Sequence, residues 1–185
     1  VSNMTTNYLN PRTGWFEQAH GAAGVMLFEP SSRAFNEGRQ YFTFRDLSIA
    51  QGATLVIKVV LTSNTIMRDF FVDMVTSDTT VEIVSGGTEG GTFNSALTIQ
   101  RTNNISTVPA RASTTTMTSG GTLTGGTTLD KFLLYAGNNE NQSTRQHGGE
   151  EFPTGFPAGT YYVRIVNIGN TTATGLFKAR WSEDA

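Results

Sequence analysis

Along most of the chain apolar side chains recur at every second position, the period of a half-buried strand and not of a helix. The pattern is sharpest from Gly159 to Trp181, GTYYVRIVNIGNTTATGLFKARW. In its first arm Tyr161, Val163 and Ile165 share one face, with Tyr162, Arg164, Val166 and Ile168 on the other. Gly169 and Asn170 supply turn chemistry. In the return arm Phe177, Ala179 and Trp181 oppose Lys178 and Arg180. The spacing predicts a hairpin of two long antiparallel strands, the element against which the rest of the chain is built.

The same period predicts a strand from Gln40 to Ile49. Phe42 and Phe44 stand on one parity there and Leu47 and Ile49 on the other, so a β-bulge at Arg45 and Asp46 is expected to turn both pairs to one core. Ala53 to Thr62, ATLVIKVVLT, is apolar on both faces apart from Lys58 and reads as a central strand. Leu55, Ile57, Val59 and Leu61 would each contribute about 1.5 to 3 kcal/mol on burial. Arg68 to Thr76, Thr80 to Val84, Ala96 to Arg101, Ser113 to Thr118 and Asp130 to Ala136 follow as strands. The Gly-rich Ser85 to Thr92 and the Gly pairs within 102 to 129 read as loops and hairpin tips, and Gly137 to Gly155 as a long polar loop. The only helix candidate, Trp15 to Phe28, contains Gly21 and Gly24, each costing about 1 kcal/mol relative to Ala. It reads instead as irregular, or as a short strand at Val25 to Phe28. The sum is an all-β fold, an antiparallel β-sandwich or jelly roll of eight to ten short strands. Residues 1–38 form an N-terminal arm or wrapping segment and residues 39–185 the β-sandwich domain.

Composition narrows the function classes. With 185 residues the chain suits one domain with an arm. There is no Cys, so disulfides, thiolate metal sites and Cys nucleophiles are excluded. Thirteen basic against 15 acidic residues give a net charge of -2, which provides no global attraction to nucleic acid or membrane. No apolar run reaches the roughly 20 residues needed to span a bilayer, and the polar VSNMTTNYLNPRTG lacks a signal peptide's apolar segment. A soluble protein made and used without membrane insertion is expected.

Candidate chemistry is sparse, and no catalytic residue, cofactor site or metal site is assigned. No nucleophile elbow, zinc-protease motif, P-loop or EF-hand pattern occurs. His147 with Glu150 and Glu151 could hold a divalent ion, but a solvated loop tip outweighs that reading. Asp69 and Asp73 share a parity about 13 Å apart, too far for the roughly 5 to 9.5 Å of glycosidase carboxylates. Trp15, Phe16, Phe152, Phe156, Tyr161, Tyr162 and Trp181 could supply a sugar platform, although most suit a core. Two sets remain as candidate partner contacts. Arg164, Lys178 and Arg180 could form a basic patch on the terminal hairpin. Trp15, Phe16, Met26 and Phe28 belong to an arm that is apolar but poorly periodic, suited to lie in a groove made by something else.

From about Tyr41 to Glu183 the order of motifs resembles the capsid decoration, or cement, proteins of tailed bacteriophages. The resemblance is carried by LTIQRTNN, then TTTMTSGGTLTGG, then FLLYAG before a polar loop, then GTYYVRIVN and a last strand ending in WSE. It implies a non-enzymatic virion protein, made in the host cytoplasm, that binds the major capsid protein on the outer surface of the shell. There it would stabilise the shell between capsomers as a homo-oligomer, a trimer. The alternative is a carbohydrate- or receptor-binding β-sandwich module of a phage fibre or secreted protein.

Overall fold

The structure, a computed structural model, describes residues 6–9, 16–19, 31–104, 111–136 and 154–183. The chain divides into two compact units, Val1–Pro30 and Ser31–Ala185. In the first, β1 (Thr6–Leu9) pairs antiparallel with β2 (Phe16–Ala19). The second opens with α1 (Ser31–Asn36), which the strand periodicity does not reveal. Its stop is written in Gly38, at φ 69°, whose N–H bonds the Phe35 carbonyl while that of Arg39 bonds Ala34.

The strands then follow in order: β3 (Gln40–Ile49), β4 (Thr54–Leu61), β5 (Thr65–Met74), β6 (Thr79–Ser85), β7 (Thr88–Gly90), β8 (Ser95–Ala96), β9 (Ile99–Arg101), β10 (Thr116–Ser119), β11 (Thr122–Thr124), β12 (Thr127–Leu134), β13 (Thr154–Phe156), β14 (Gly159–Asn167) and β15 (Ala173–Glu183). They form an all-β sandwich, with more strands than the turn signals suggest. One sheet has the order β12-β6-β14-β4-β10-β8 and the other β13-β5-β15-β3-β9, every pairing antiparallel.

The expected terminal hairpin is not one. β14 lies between β4 and β6 in the six-stranded sheet, and β15 between β3 and β5 in the five-stranded sheet. The turn between them is an arch from sheet to sheet, and so are those from β3 to β4 and from β5 to β6. Alternation along a strand shows that one side is buried; it does not say which strand supplies the hydrogen bonds.

Asn167 explains why the chain arches at this point. Its buried amide donates to the carbonyls of Ile49 (2.9 Å), Ala50 (3.1 Å) and Thr171 (2.7 Å). Its Oδ1 accepts from Ser77 Oγ (2.9 Å) and Gly169 N (3.1 Å), so one side chain ties all three arches. At the opposite end Glu183 plays the corresponding part. Its carboxylate accepts from Ser113 Oγ (2.5 Å), the Thr114 N–H (3.0 Å) and hydroxyl (3.1 Å), the Thr115 N–H (3.1 Å) and Trp181 Nε1 (3.1 Å). Burial opposes ionisation of Glu183, but the donors from Ser113, Thr114, Trp181 and Thr115 outweigh it and hold the carboxyl below the usual carboxylate range.

The core fills the space between the sheets. β15 contributes Phe177, Ala179 and Trp181, all fully buried, as its alternation predicts. Ile57, Val59 and Leu61 of β4 meet them from the other sheet, and Phe70 stands edge-on to both Phe177 (5.6 Å) and Phe132 (6.5 Å).

The bulge expected in β3 is absent. Its register with β15 is continuous from Gln40 to Ile49, so Tyr41, Thr43, Leu47 and Ile49 are buried while Phe42 and Phe44 face outward. Thr43 can sit inside because its hydroxyl donates to the Thr98 carbonyl (2.8 Å). Register shifts occur instead opposite the Arg180/Trp181 step of β15 and at Thr128/Asp130 of β12. The strand expected at Ala96 to Arg101 is also divided: β8 pairs in one sheet and β9 in the other, and the chain crosses at Leu97 and Thr98.

Two Gly-rich segments read as loops and hairpin tips turn out to hold strands. β7 and β11 pair with each other as a two-stranded flap over the outer face of the six-stranded sheet. The Gly pairs 86–87 and 125–126 mark its roots, where the chain leaves β6 and returns to β12. Gly126 has φ 94°, and a Cβ there would lie 2.4 Å from Val84 Cγ1.

Candidate contact surfaces

The outward side chains of the five-stranded sheet fall into rows set by register. Asp46, Leu176 and Asp73 form one row; Phe44, Lys178 and Phe71 form the next; Phe42 and Arg180 lie in the third. Phe44 is 54% exposed, and Phe42, Phe71 and Leu176 are half-buried. Among the described residues no ion pair joins Lys178 to Asp46 or Asp73, although opposite charges lie diagonally across neighbouring strands.

The outer face of the six-stranded sheet is organised differently. Val56, Val84 and Tyr162 are buried there beneath Leu123, with Phe93 packed against them. Glu89 of the flap binds Lys58 Nζ (2.7 Å) and accepts from the Tyr162 hydroxyl (2.5 Å), while Lys58 stands 5.7 Å from the Phe93 ring centre. Burial, and then the bond to Glu89, push the Tyr162 phenol up to about 12. Lys58 first, then Tyr162, draws Glu89 down. Beside the flap a cleft of about 490 Å³ is lined by Thr54, Val56, Glu82, Thr122, Leu123, Arg164 and Val166. Its floor carries a paired charge row: Glu82 binds Lys131 (2.9 Å) and Arg164 (2.5 Å). The bond to Lys131 leads in lowering Glu82, burial opposes it, and Arg164 adds to the lowering.

The Glu89 contacts hold the flap in place, and the Glu82 row ties neighbouring strands of the sheet. Glu82 is committed to two cations, and Tyr162 is driven away from the phenolate, so neither is poised as a base at neutral pH. Among the described residues no group of three or more His, Cys, Asp or Glu could hold a metal ion, and no helix is long and apolar enough to cross a membrane.

The basic patch expected from Arg164, Lys178 and Arg180 does not exist as one surface. Because β14 and β15 belong to different sheets, Arg164 lies on the outer face of one and Lys178 and Arg180 on that of the other. The expected aromatic platform also dissolves. Trp181 is in the core, Tyr162 is under the flap, and Tyr161 is partly buried, edge-on to Phe156 at 5.1 Å. Trp15, Met26, Phe28, Phe152, His147, Glu150 and Glu151 lie outside the described residues, as do the side chains of Phe16 and Asp69. Sequence reasoning missed the outward row of Phe42, Phe44 and Phe71. The signal was present in the parity of Phe42 and Phe44, which matches that of Asp46 and Ser48. No family model, curated protein or solved structure matches the chain.

Proposed function

We propose that the protein is a non-enzymatic virion structural protein that binds the outside of a bacteriophage capsid and stabilises its shell, with residues 1–30 as the attaching element. The observation that carries this reading is the division of the chain at Pro30/Ser31 into two compact units. An apolar segment holding Trp15, Met26 and Phe28 in a unit of its own suits a part whose partner is another molecule. The resemblance of the motif order to that of decoration proteins adds support; the segments that carry it run from β9 through β10, the flap and β12 to β14 and the end of β15.

The test is co-sedimentation with assembled shells of a tailed-bacteriophage major capsid protein from the same phage. The full chain is expected to pellet with shells, and Trp15→Ala with Phe28→Ala to remain in the supernatant with an unchanged melting temperature. A full chain that does not pellet contradicts the reading; binding to immobilised glycans in its place would support the receptor-binding alternative.

A further inference from the structure

The outer face of the five-stranded sheet, over which no flap lies among the described residues, carries a charge pattern that complements itself. Its acidic row, Asp46 and Asp73 about Leu176, lies two residues along the strands from the row of Lys178 between Phe44 and Phe71, a step of about 7 Å. We propose that a second copy of this chain docks on this face across a two-fold axis. The axis runs parallel to the sheet, halfway between the two packed faces, perpendicular to the strands and midway between those rows.

The charges select that axis from the alternatives. Rotation about it lays the acidic row of each copy over the lysine row of the other, so Lys178 meets Leu176 of the second copy with Asp46 and Asp73 on either side. A two-fold axis parallel to β15 would instead set Lys178 against itself and Asp46 against Asp73, a contact between like charges. Packed sheets stand about 10 Å apart, a gap that a lysine and a carboxylate extending toward each other can span.

Size agrees. Strands β3, β5 and β15 are 10, 10 and 11 residues long, so their common face measures about 34 by about 14 Å. Two copies would bury roughly 1,000 Å², the lower bound of a specific interface, which fits a dimer of micromolar affinity. A net charge of only -2 adds little repulsion between copies. The contact does not depend on attachment to a shell, and its symmetry yields a dimer where the family resemblance implies a trimer.

Sedimentation equilibrium of the full chain over about 1 to 100 µM tests it. The expected result is a monomer–dimer equilibrium, weakened about tenfold or more by Lys178→Glu and likewise by Asp46→Lys with Asp73→Lys. The triple exchange, with all three charges reversed, restores complementarity and returns the dissociation constant to within about threefold of the original. Melting temperatures at low concentration establish that each variant is folded. A monomer at 100 µM, a trimer, or a folded triple exchange that stays monomeric overturns the proposal. Shell co-sedimentation of the Lys178→Glu chain is read separately, so loss of pairing and loss of attachment are told apart.

Discussion

On the outer face of the six-stranded sheet Val56, Val84 and Tyr162 lie beneath Leu123 and Phe93, and the charges nearby are paired: Lys58 with Glu89, Arg164 and Lys131 with Glu82. On the outer face of the five-stranded sheet Phe42, Phe44 and Phe71 have no flap over them among the described residues, and Lys178 stands near two aspartates without binding either. Both sheets therefore place apolar side chains on the parity that faces away from the core. On one sheet the chain supplies its own cover. On the other the same pattern marks a surface for a second molecule.

Changes that strike what the two faces share should have the largest effect. Ile57 is fully buried in a strand bonded on both sides, and Ile57→Asp would place an unpaired carboxylate between the sheets. The expected outcome is an unfolded protein by circular dichroism, with both faces lost together. Glu183→Ala comes next. It leaves the Thr114 and Thr115 N–H groups and Trp181 Nε1 without their acceptor and is expected to cost about 3 kcal/mol, read as a drop in urea midpoint.

The same carboxylate predicts a pH dependence. Folded Glu183 ionises below its unfolded value, so its stabilisation is fully present above about pH 4.3 and fades as pH falls through the folded value. Melting temperature should fall over that acid range in the native chain and less steeply in Glu183→Gln.

Smaller changes separate the faces. Leu123→Ala empties the contact beneath the flap and is expected to cost about 2 kcal/mol, the low end for a buried leucine because a two-stranded flap can settle. Amide exchange should quicken in β7 and β11 while β14 and β15 keep their protection. Phe44→Ala, at an exposed position on the other face, is expected to shift the monomer's stability by no more than about 0.5 kcal/mol. Its effect should be confined to pairing.

What the sequence makes legible divides along the same physical line. Strand positions and inward faces were legible wherever burial follows local alternation: β3 begins and ends where the pattern does, β4 is central, and Phe177, Ala179 and Trp181 face the core. Pairing was not legible, because hydrogen-bond partners of β14 and β15 lie far away in sequence and the arch depends on Asn167 meeting Ile49 and Ser77. The flap was missed because paired glycines signal tight backbone without saying whether they form a tip or a root. Phe42 and Phe44 face outward because the strand is unbroken: a parity switch fits an apolar outer face as well as a bulge, and local alternation does not distinguish the two.

Hydroxyl-radical footprinting of the full chain at about 1 and 100 µM tests the contrast between the faces most directly. If one face is closed by the flap and the other by a second copy, Phe44 and Phe71 lose reactivity at the higher concentration. Phe93 and Tyr162 keep the same reactivity at both. Equal reactivity of Phe44 and Phe71 at the two concentrations would contradict the account.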